Sequence, residues 1–408
     1  MLRMSGQMSH PPMWDMAKLT CMNDGMIHSE DTEVGTSTAR ERRTVTGSTR
    51  LADHTTFRIG GPADRLVVAR TEADLIDAVR AADAQSIPVL ILSGGSNVLI
   101  ADEGFRGTVV IVGTQGVDDV TDHATAPQTD CGPDLAPRHV IRVAAGEPWD
   151  ALVATTVSRR LGGLEMLSGI PGLAGAAPIQ NIGAYGAEIA SVIERVRTWD
   201  RRDACVTTWS AEECRFGYRT SVFKREPGRH VVLSVDLRLD PSGSSAPIAY
   251  AELARRLGVD AGTRLPVEVV RETVLDLRRG KGMVLDDSDH DTWSAGSFFT
   301  NPLVNPAVAA ALPEDAPRFP TSDDRVKTSA AWLIEHAGFH KGYGDHVASL
   351  STKHVLALTN RGGATARDVI TLARRVRDGV LATYGIQLEP EPVLVGLGLD
   401  ETPADTRS

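Results

Sequence analysis

The chain has 408 residues, with 43 Lys plus Arg against 53 Asp plus Glu, a formal charge of −10. At 42% hydrophobic and 24% charged residues the composition is that of a soluble globular protein of about two or three domains, with cores large enough to need no disulfide or metal staples. The acidic balance excludes a general nucleic-acid binder, which needs a basic face, but leaves room for a local basic pocket that takes an anionic small molecule.

Cys21, Cys131, Cys205 and Cys214 are widely spaced and form no C-x-x-C pair, which argues against a disulfide framework or a structural zinc site. The histidines show no ligand spacing, so no metal is expected. No run approaches the ~20 apolar residues of a membrane span. Gln7, His10, Asp15 and Lys18 interrupt any signal-peptide core, and a cytoplasmic location is expected. Seven of the nine methionines lie between Met1 and Met26, and no apolar period persists through residues 1–50. That stretch reads as a disordered extension, or in part as upstream sequence taken in by an early start codon, and lies outside the fold in either case.

From Leu51 the pattern becomes regular. Leu66–Ala69 reads as a buried strand, and Thr71 with Asp74 predicts a capping box opening a helix whose apolar face is Leu75, Ile76 and Val79. Val89–Leu92, Val98–Ile100, Val109–Val112 and Val140–Ala145 are further strands. Asp150–Leu161 is predicted helical, ended by Gly162-Gly163. Val231–Leu239 alternates as a half-buried strand, with Ser234, Asp236 and Arg238 facing outward. The loop Pro241–Ser245 marks a candidate boundary. Helices are predicted around Ala251–Leu257, Val267–Leu277, Thr328–His336 and Thr365–Tyr384, the last with a Thr365–Asp368 capping box and Gly385 as terminator. This order gives an α+β or α/β class, with no internal repeat and no heptads.

Two glycine-rich segments carry the first chemical signal. Ser93-Gly94-Gly95-Ser96-Asn97 follows a strand, and successive N–H groups in such a turn can cradle a pyrophosphate without a lysine. It has neither the Lys-Ser/Thr pair of a P-loop nor the G-x-G-x-x-G spacing of a Rossmann turn. For a lone Gly-Gly pair a tight turn between strands is the better reading, but Leu51–Ala63 lies a short way upstream with the strand–helix–strand between. Together these segments resemble the flavin-binding fold of the vanillyl-alcohol-oxidase-type flavoproteins, in which the dinucleotide lies between two small α/β subdomains. The second segment, Gly163–Gly186, contains small residues, Pro turns and the amides Gln180 and Asn181, with Glu165 as its single charge. A run this long is hard to explain as a surface connection. It suits backbone buried against a flat polar group such as an isoalloxazine ring, the plainer reading being a packed loop in a sheet.

At this segment the sequence resembles the UDP-N-acetylenolpyruvoylglucosamine reductase family. Four further blocks stand in the family's order: Cys214–Lys224, Ser294–Pro302, Ala330–Gly338 and Leu388–Glu391. Any one is weak; five in order are very specific, and the resemblance covers roughly residues 51–397.

The resemblance implies an α+β chain: FAD-binding subdomain 1 at 51–112 with the C-terminal 386–400 returning to it, FAD-binding subdomain 2 at 113–280, a smaller α/β substrate-binding domain at 281–385, and a tail at 401–408. It implies non-covalent FAD, with NADPH as co-substrate and the substrate using one pocket in turn. The substrate would be UDP-N-acetylenolpyruvoylglucosamine, reduced to UDP-N-acetylmuramate for peptidoglycan synthesis by hydride from flavin N5 to C3 and a proton to C2. A monomer without nucleic-acid or membrane partners is expected.

The difficulty of that reaction is electronic. An enolpyruvyl carboxylate accepts hydride poorly because negative charge builds on its oxygens, so the site must supply a cation and hydrogen bonds. Within Tyr-Arg-x-Ser-x-Phe-Lys, Arg219 offers the fixed guanidinium fork that suits a carboxylate. Alone, such an Arg is most often a surface residue. Ser297 is the implied proton donor to C2, although Ser-Ala-Gly-Ser by itself favours a cap or turn serine. Glu391 is the implied electrostatic partner of Arg219, as a hydrogen-bonded acid; Glu389 lies two residues earlier, and either could be a solvated edge carboxylate. For the cofactor the resemblance points to Ser93, Gly94, Gly95, Ser96 and Asn97 in the first segment. In the second it points to Ile170, Pro171, Gly175, Ala176, Gln180, Asn181, Gly183, Ala184 and Tyr185. For the substrate it points to Tyr218, Tyr250 (on a loop that can act as a lid), Lys281 near the diphosphate, and Asn301. The bland alternatives are packing tyrosines and one base among several in Arg278-Arg279-Gly280-Lys281. Relatives often carry Arg where this chain has Val393, with an expected effect on local packing only. Two other readings stay open: an oxidase of the wider flavin fold, which does not require the Ser297 and Glu391 blocks, and a catalytically silent flavin or nucleotide sensor.

Overall fold

Apolar runs separated by a capped amphipathic helix build the first layer of the computed structural model, which describes residues 49–121, 139–321 and 324–400. The expectations for residues 1–48 and 401–408, and for Cys21 and Cys131, lie outside the described residues. β1 (Ala63–Ala69), α1 (Glu72–Asp83), β2 (Val89–Leu92), β3 (Val98–Ile100) and β4 (Phe105–Val112) follow one another, and β1 and β2 flank β4 in a parallel sheet. Thr71 Oγ1 accepts from Asp74 N and the Asp74 carboxylate accepts from Thr71 N, closing the capping box. Leu75 and Val79 are fully buried.

The second layer holds β5 (Val117–Asp119), β6 (His139–Ala144), α2 (Trp149–Ser158), the small hairpin β7 (Gly183–Ala184) and β8 (Ala187–Glu188), β9 (Ile193–Asp200), β10 (Cys205–Ser210), the one-turn α3 (Val222–Arg225) and β11 (His230–Leu239). Five of these strands form an antiparallel sheet in the order β10-β9-β11-β6-β5. Two readings need correction here. β11 is buried on both faces, because it is central in the sheet and its polar side is covered: Arg142 grips Asp236 through two hydrogen bonds of 2.7 Å. β9 escapes the alternation rule because its register with β11 shifts between Asp236 and Leu237, where Asp236 faces Arg195 and Leu237 faces Ile193. The extra residue, Glu194, sets the buried Ile193 and Val196 three apart instead of two. α2 also stops short of Gly162, with Arg160 already left-handed at φ 58°.

The remainder comprises α4 (Ala251–Leu257), α5 (Val267–Gly280), β12 (Leu303–Val304), α6 (Pro306–Ala310), β13 (Arg318–Pro320), β14 (Val326–Thr328), α7 (Ala330–His336), β15 (Ala348–Leu350), β16 (Leu358–Asn360), α8 (Ala366–Tyr384) and β17 (Val393–Val395). Thr328 belongs to a strand rather than to the predicted helix, which Ser329 caps instead. α8 runs from the Thr365 capping box to Gly385 at φ 66°. β17 lies parallel to β3, so the C-terminal segment returns to the glycine turn, and Val393 N donates to Asn97 O at 3.0 Å.

The buried cores cross the expected division at 51–112, 113–280 and 281–385. Phe57, Ile59 and Leu99 are buried with residues from Ala295 to Leu399, whereas Ala69, Leu75 and Val110 are buried with the five-stranded sheet. Among the described residues no helix is long and apolar enough to cross a membrane.

Candidate active site

The glycine turn joins β2 to β3, and its glycines are required by close approach. A Cβ on Gly94 would stand 2.6 Å from the Gly172 Cα; one on Gly95, whose φ is 58°, would stand 1.9 Å from the His54 carbonyl. The turn is thereby pressed against both the 51–63 segment and the second glycine-rich segment. Gly95→Ala is expected to yield folded but flavin-poor protein, read as the ratio of flavin to protein absorbance; a full complement of flavin would refute the turn's role as a cradle.

Polar ties lock the turn to its neighbours. Ser96 Oγ donates to Pro171 O at 3.0 Å, and Asn97 Nδ2 donates to Gln180 Oε1 at 2.7 Å and to Glu391 O at 3.3 Å. Asn97 therefore joins three stretches of chain far apart in sequence. Gly175 N donates to Ala145 O at 2.8 Å, and a Cβ there would meet Ala145 Cβ at 2.6 Å, so Gly175 serves packing against the sheet.

Arg219 sits in a tight turn closed by the Gly217–Thr220 bridge, itself left-handed at φ 52°. Asn181 and Tyr185 are left-handed too, at 47° and 49°. Tyr185 and Arg219 line one cleft and Asn181 lies directly behind Arg219, the clustering of this backbone class expected of a functional site. Arg219 Nη2 donates to Gly183 O at 2.7 Å and Nη1 to Asn181 O at 3.3 Å. Its Nε lies 3.2 Å from Glu391 Oε1, close enough for an ion pair, but the N–H is not aimed at the oxygen and remains without a hydrogen-bond partner. Both side chains are largely buried, 21% exposed for Arg219 and 14% for Glu391.

Ser297 and Glu391 line the same cleft because their segments pair. Phe299 and Pro390 form an antiparallel bridge, and Glu391 N donates to Phe298 O at 2.8 Å. Phe298 and Phe299, 0% and 1% exposed, fix the segment from behind. Ser297 Oγ lies 3.5 Å from His354 Nε2. One cleft is lined by Ser96, Asn97, Ile170, Pro171, Ala176, Gln180, Gly183, Ala184, Tyr185, Arg219, Tyr250, Lys281, Ser297 and Glu391 together.

Burial sets the protonation states. It raises the Glu391 carboxyl above the usual carboxylate range, against the opposing charges of Arg219 and Lys224. It lowers Lys224, near the same carboxylate, below the usual lysine range. It pushes His354 down to about 4, helped by the charges of Lys281 and Lys341, so this imidazole is neutral near pH 7. Tyr185 is pushed up to about 12 by burial.

Comparison with known proteins supplies the family. Residues 63–208 match the model described as FAD binding domain, and residues 287–395 match that described as UDP-N-acetylenolpyruvoylglucosamine reductase, C-terminal domain. The curated UDP-N-acetylenolpyruvoylglucosamine reductase of Cutibacterium acnes is 55% identical over 349 residues, covering 85% of this chain and 89% of that protein. The chain belongs to the UDP-N-acetylenolpyruvoylglucosamine reductase family. A second curated member, from Streptomyces coelicolor, is 50% identical over 362 residues, 86% of this chain and 90% of that one. The crystal structure of UDP-N-acetylenolpyruvylglucosamine reductase from Thermus caldophilus superimposes with a TM-score of 0.56 at 26% identity, over 86% of this chain and 98% of that one. The fold is accordingly α+β, with an FAD-binding domain.

The residues present fit FAD. Ser93 Oγ is buried without a hydrogen-bond partner, and Ser93 and Gly94 line a cavity that shares Thr56, Leu173 and Leu285 with the main cleft. A buried orphan hydroxyl beside a glycine cradle is what a bound diphosphate would satisfy.

Of the family residues anticipated, Asn181 does not reach the cleft. It is fully buried, and its amide donates to Glu188 and Gly217 O and accepts from Ala190 N. Tyr218 and Asn301 stand behind Arg219, outside the lining: Asn301 hydrogen-bonds the Tyr218 phenol, and its Oδ1 accepts from Ala330 N at the start of α7. Glu389 and Val393 are exposed and line no part of the cleft.

Two titratable residues of the cleft were missed. Arg278 lines it with a buried, unpartnered Nε, and its Nη2 donates to Met283 O at 2.8 Å. Helical spacing contained the signal, since Val270, Val274 and Arg278 recur every four residues on the buried face of α5. For His354 no sequence pattern existed; it is brought to Ser297 by the turn that Asp291 holds through Thr352 N at 2.9 Å.

Proposed function

We propose that NADPH is the hydride source of this peptidoglycan-precursor reductase, and that Arg219, Ser297 and Glu391 carry the reduction of UDP-N-acetylenolpyruvoylglucosamine to UDP-N-acetylmuramate. The reading is supported above all by one observation: the Arg219 guanidinium meets the Glu391 carboxyl at 3.2 Å in the cleft that also presents Ser297 and both glycine-rich segments.

FAD would be held by the 93–97 turn and the cleft-lining residues of the 170–185 segment, and would supply two-electron hydride chemistry there. The protein residues manage charge and the proton. Arg219 cannot swing freely, because the Asn181 and Gly183 carbonyls hold two of its nitrogens; its charge is thus pre-organised where the substrate carboxylate gains electron density. Burial raises the Glu391 carboxyl above the usual carboxylate range, which favours the acid form that can donate a hydrogen bond to that same carboxylate. Ser297 Oγ gives its proton to C2, and neutral His354 orients the hydroxyl. The buried phenylalanines exclude water behind Ser297.

The purified yellow holoprotein should bleach when NADPH is added under nitrogen and regain its colour on addition of UDP-N-acetylenolpyruvoylglucosamine. Bleaching without that recovery would overturn the substrate assignment, and recovery only on admitting oxygen would favour an oxidase.

A pH dependence follows from the raised Glu391 pKa. Its acid form persists to higher pH than an ordinary carboxyl, and loss of the proton removes a donor and adds a negative charge beside the developing one. The rate of flavin reoxidation by substrate should therefore fall as pH rises through that pKa, and Glu391→Gln should lack this limb. The same limb surviving in the variant would assign it elsewhere.

A further inference from the structure

Lys281, the proposed diphosphate ligand, is already engaged. Its Nζ lies 2.6 Å from Glu252 Oε2, with both side chains about one-third exposed (34% and 30%). Glu252 is in the first turn of α4, two residues after Tyr250, and Lys281 caps the C-terminus of α5. The Tyr250 ring stands edge-on to Tyr185 at 5.6 Å, and Lys281 Nζ is 5.9 Å from the Tyr185 ring. Leu253 and Ala254 are buried against Val270 and Val274, so α4 is seated on α5 and the carboxylate is held in place. Lys281 and His354 line both the active-site cleft and a second cavity, where Glu252 forms part of the wall.

We propose that Glu252 is a competitor for Lys281: it holds the ammonium when no nucleotide is bound, and an incoming diphosphate must take the ammonium from it. This rests on the reading of Lys281 as a diphosphate ligand. The exchange leaves a carboxylate beside a dianionic group, and like charges at that range repel. Glu252 thus weakens the binding of any diphosphate nucleotide and hastens its departure, as the ion pair with Lys281 re-forms. A cleft that NADPH and a UDP-sugar must occupy in turn gains by this, since tight retention of either would block the other. Glu252 acts through Lys281, so it tunes affinity and takes no part in the chemistry.

The test is equilibrium binding of UDP to the oxidised holoprotein, followed by perturbation of the flavin spectrum, for wild type, Glu252→Gln and Lys281→Met. The flavin spectrum itself checks that each variant is folded and loaded. Glu252→Gln should bind UDP about fivefold more tightly, the size of a partly exposed charge interaction, and should be inhibited by UDP-N-acetylmuramate at correspondingly lower concentration; Lys281→Met should bind UDP more weakly. Unchanged or weaker binding by Glu252→Gln, with Lys281→Met weakened, would overturn the competition and make Glu252 a support that orients Lys281. Wild-type binding by Lys281→Met would overturn the assignment of Lys281 on which the inference rests.

Discussion

Replacing Glu391 by Gln is expected to slow flavin reoxidation by UDP-N-acetylenolpyruvoylglucosamine by about three orders of magnitude, with FAD still bound. The amide keeps the shape of the side chain but changes what it offers. A protonated carboxyl donates a strong hydrogen bond, whereas an amide in the same place donates a weaker one. Flavin binding should survive because Asn97 bonds the Glu391 backbone carbonyl, which the substitution leaves in place. Glu389→Gln is the control, since Glu389 is exposed and its backbone carbonyl alone is used, accepting from Thr300 N at 3.0 Å. Stopped-flow reoxidation of NADPH-reduced enzyme separates the two variants, and equal losses would refute the assignment of Glu391.

Ser297→Ala is expected to divide the two half-reactions. Bleaching by NADPH should stay near the wild-type rate, while reoxidation by substrate should fall about 10³-fold, within the range of a lost general acid. Little else depends on the hydroxyl. Its hydrogen-bond contact with protein is the long 3.5 Å approach to His354, and the segment is held by the buried Phe298 and Phe299 and by Phe298 N on Leu356 O at 2.8 Å. Thermal stability should therefore be nearly unchanged. Full reoxidation by the Ala variant would remove Ser297 from the proton transfer, and equal slowing of both half-reactions would point to damage of the flavin site.

The capped helices and glycine turns were legible because their causes are local. Thr71 and Asp74 need only each other, as do Thr365 and Asp368, and Gly385 ends its helix by adopting a left-handed φ. The family blocks were legible because residue types in fixed order survive without knowledge of their contacts. β9 was not legible, since a bulge against β11 breaks its period, and Asp236 looked exposed because its cover, Arg142, lies on another strand.

For the site, the family blocks singled out Arg219, Ser297 and Glu391 as candidates, although each taken alone has a plainer reading as a surface, turn or edge residue. Only the tertiary structure decided which of them meet. Pairing of Phe298 and Phe299 with Pro390 and Glu391 brings Ser297 and Glu391 into one cleft, and Asn97 ties Glu391 to the glycine turn. Tertiary contacts also decided that Asn181 supports the turn of Arg219 through its carbonyl, that Arg278 and His354 reach the cleft, and that Lys281 already has a partner in Glu252. The physical reason is range. Caps, turns and helix faces follow from neighbours within a few residues, whereas burial and ion pairing depend on groups that only the folded chain brings together, and no local pattern encodes them.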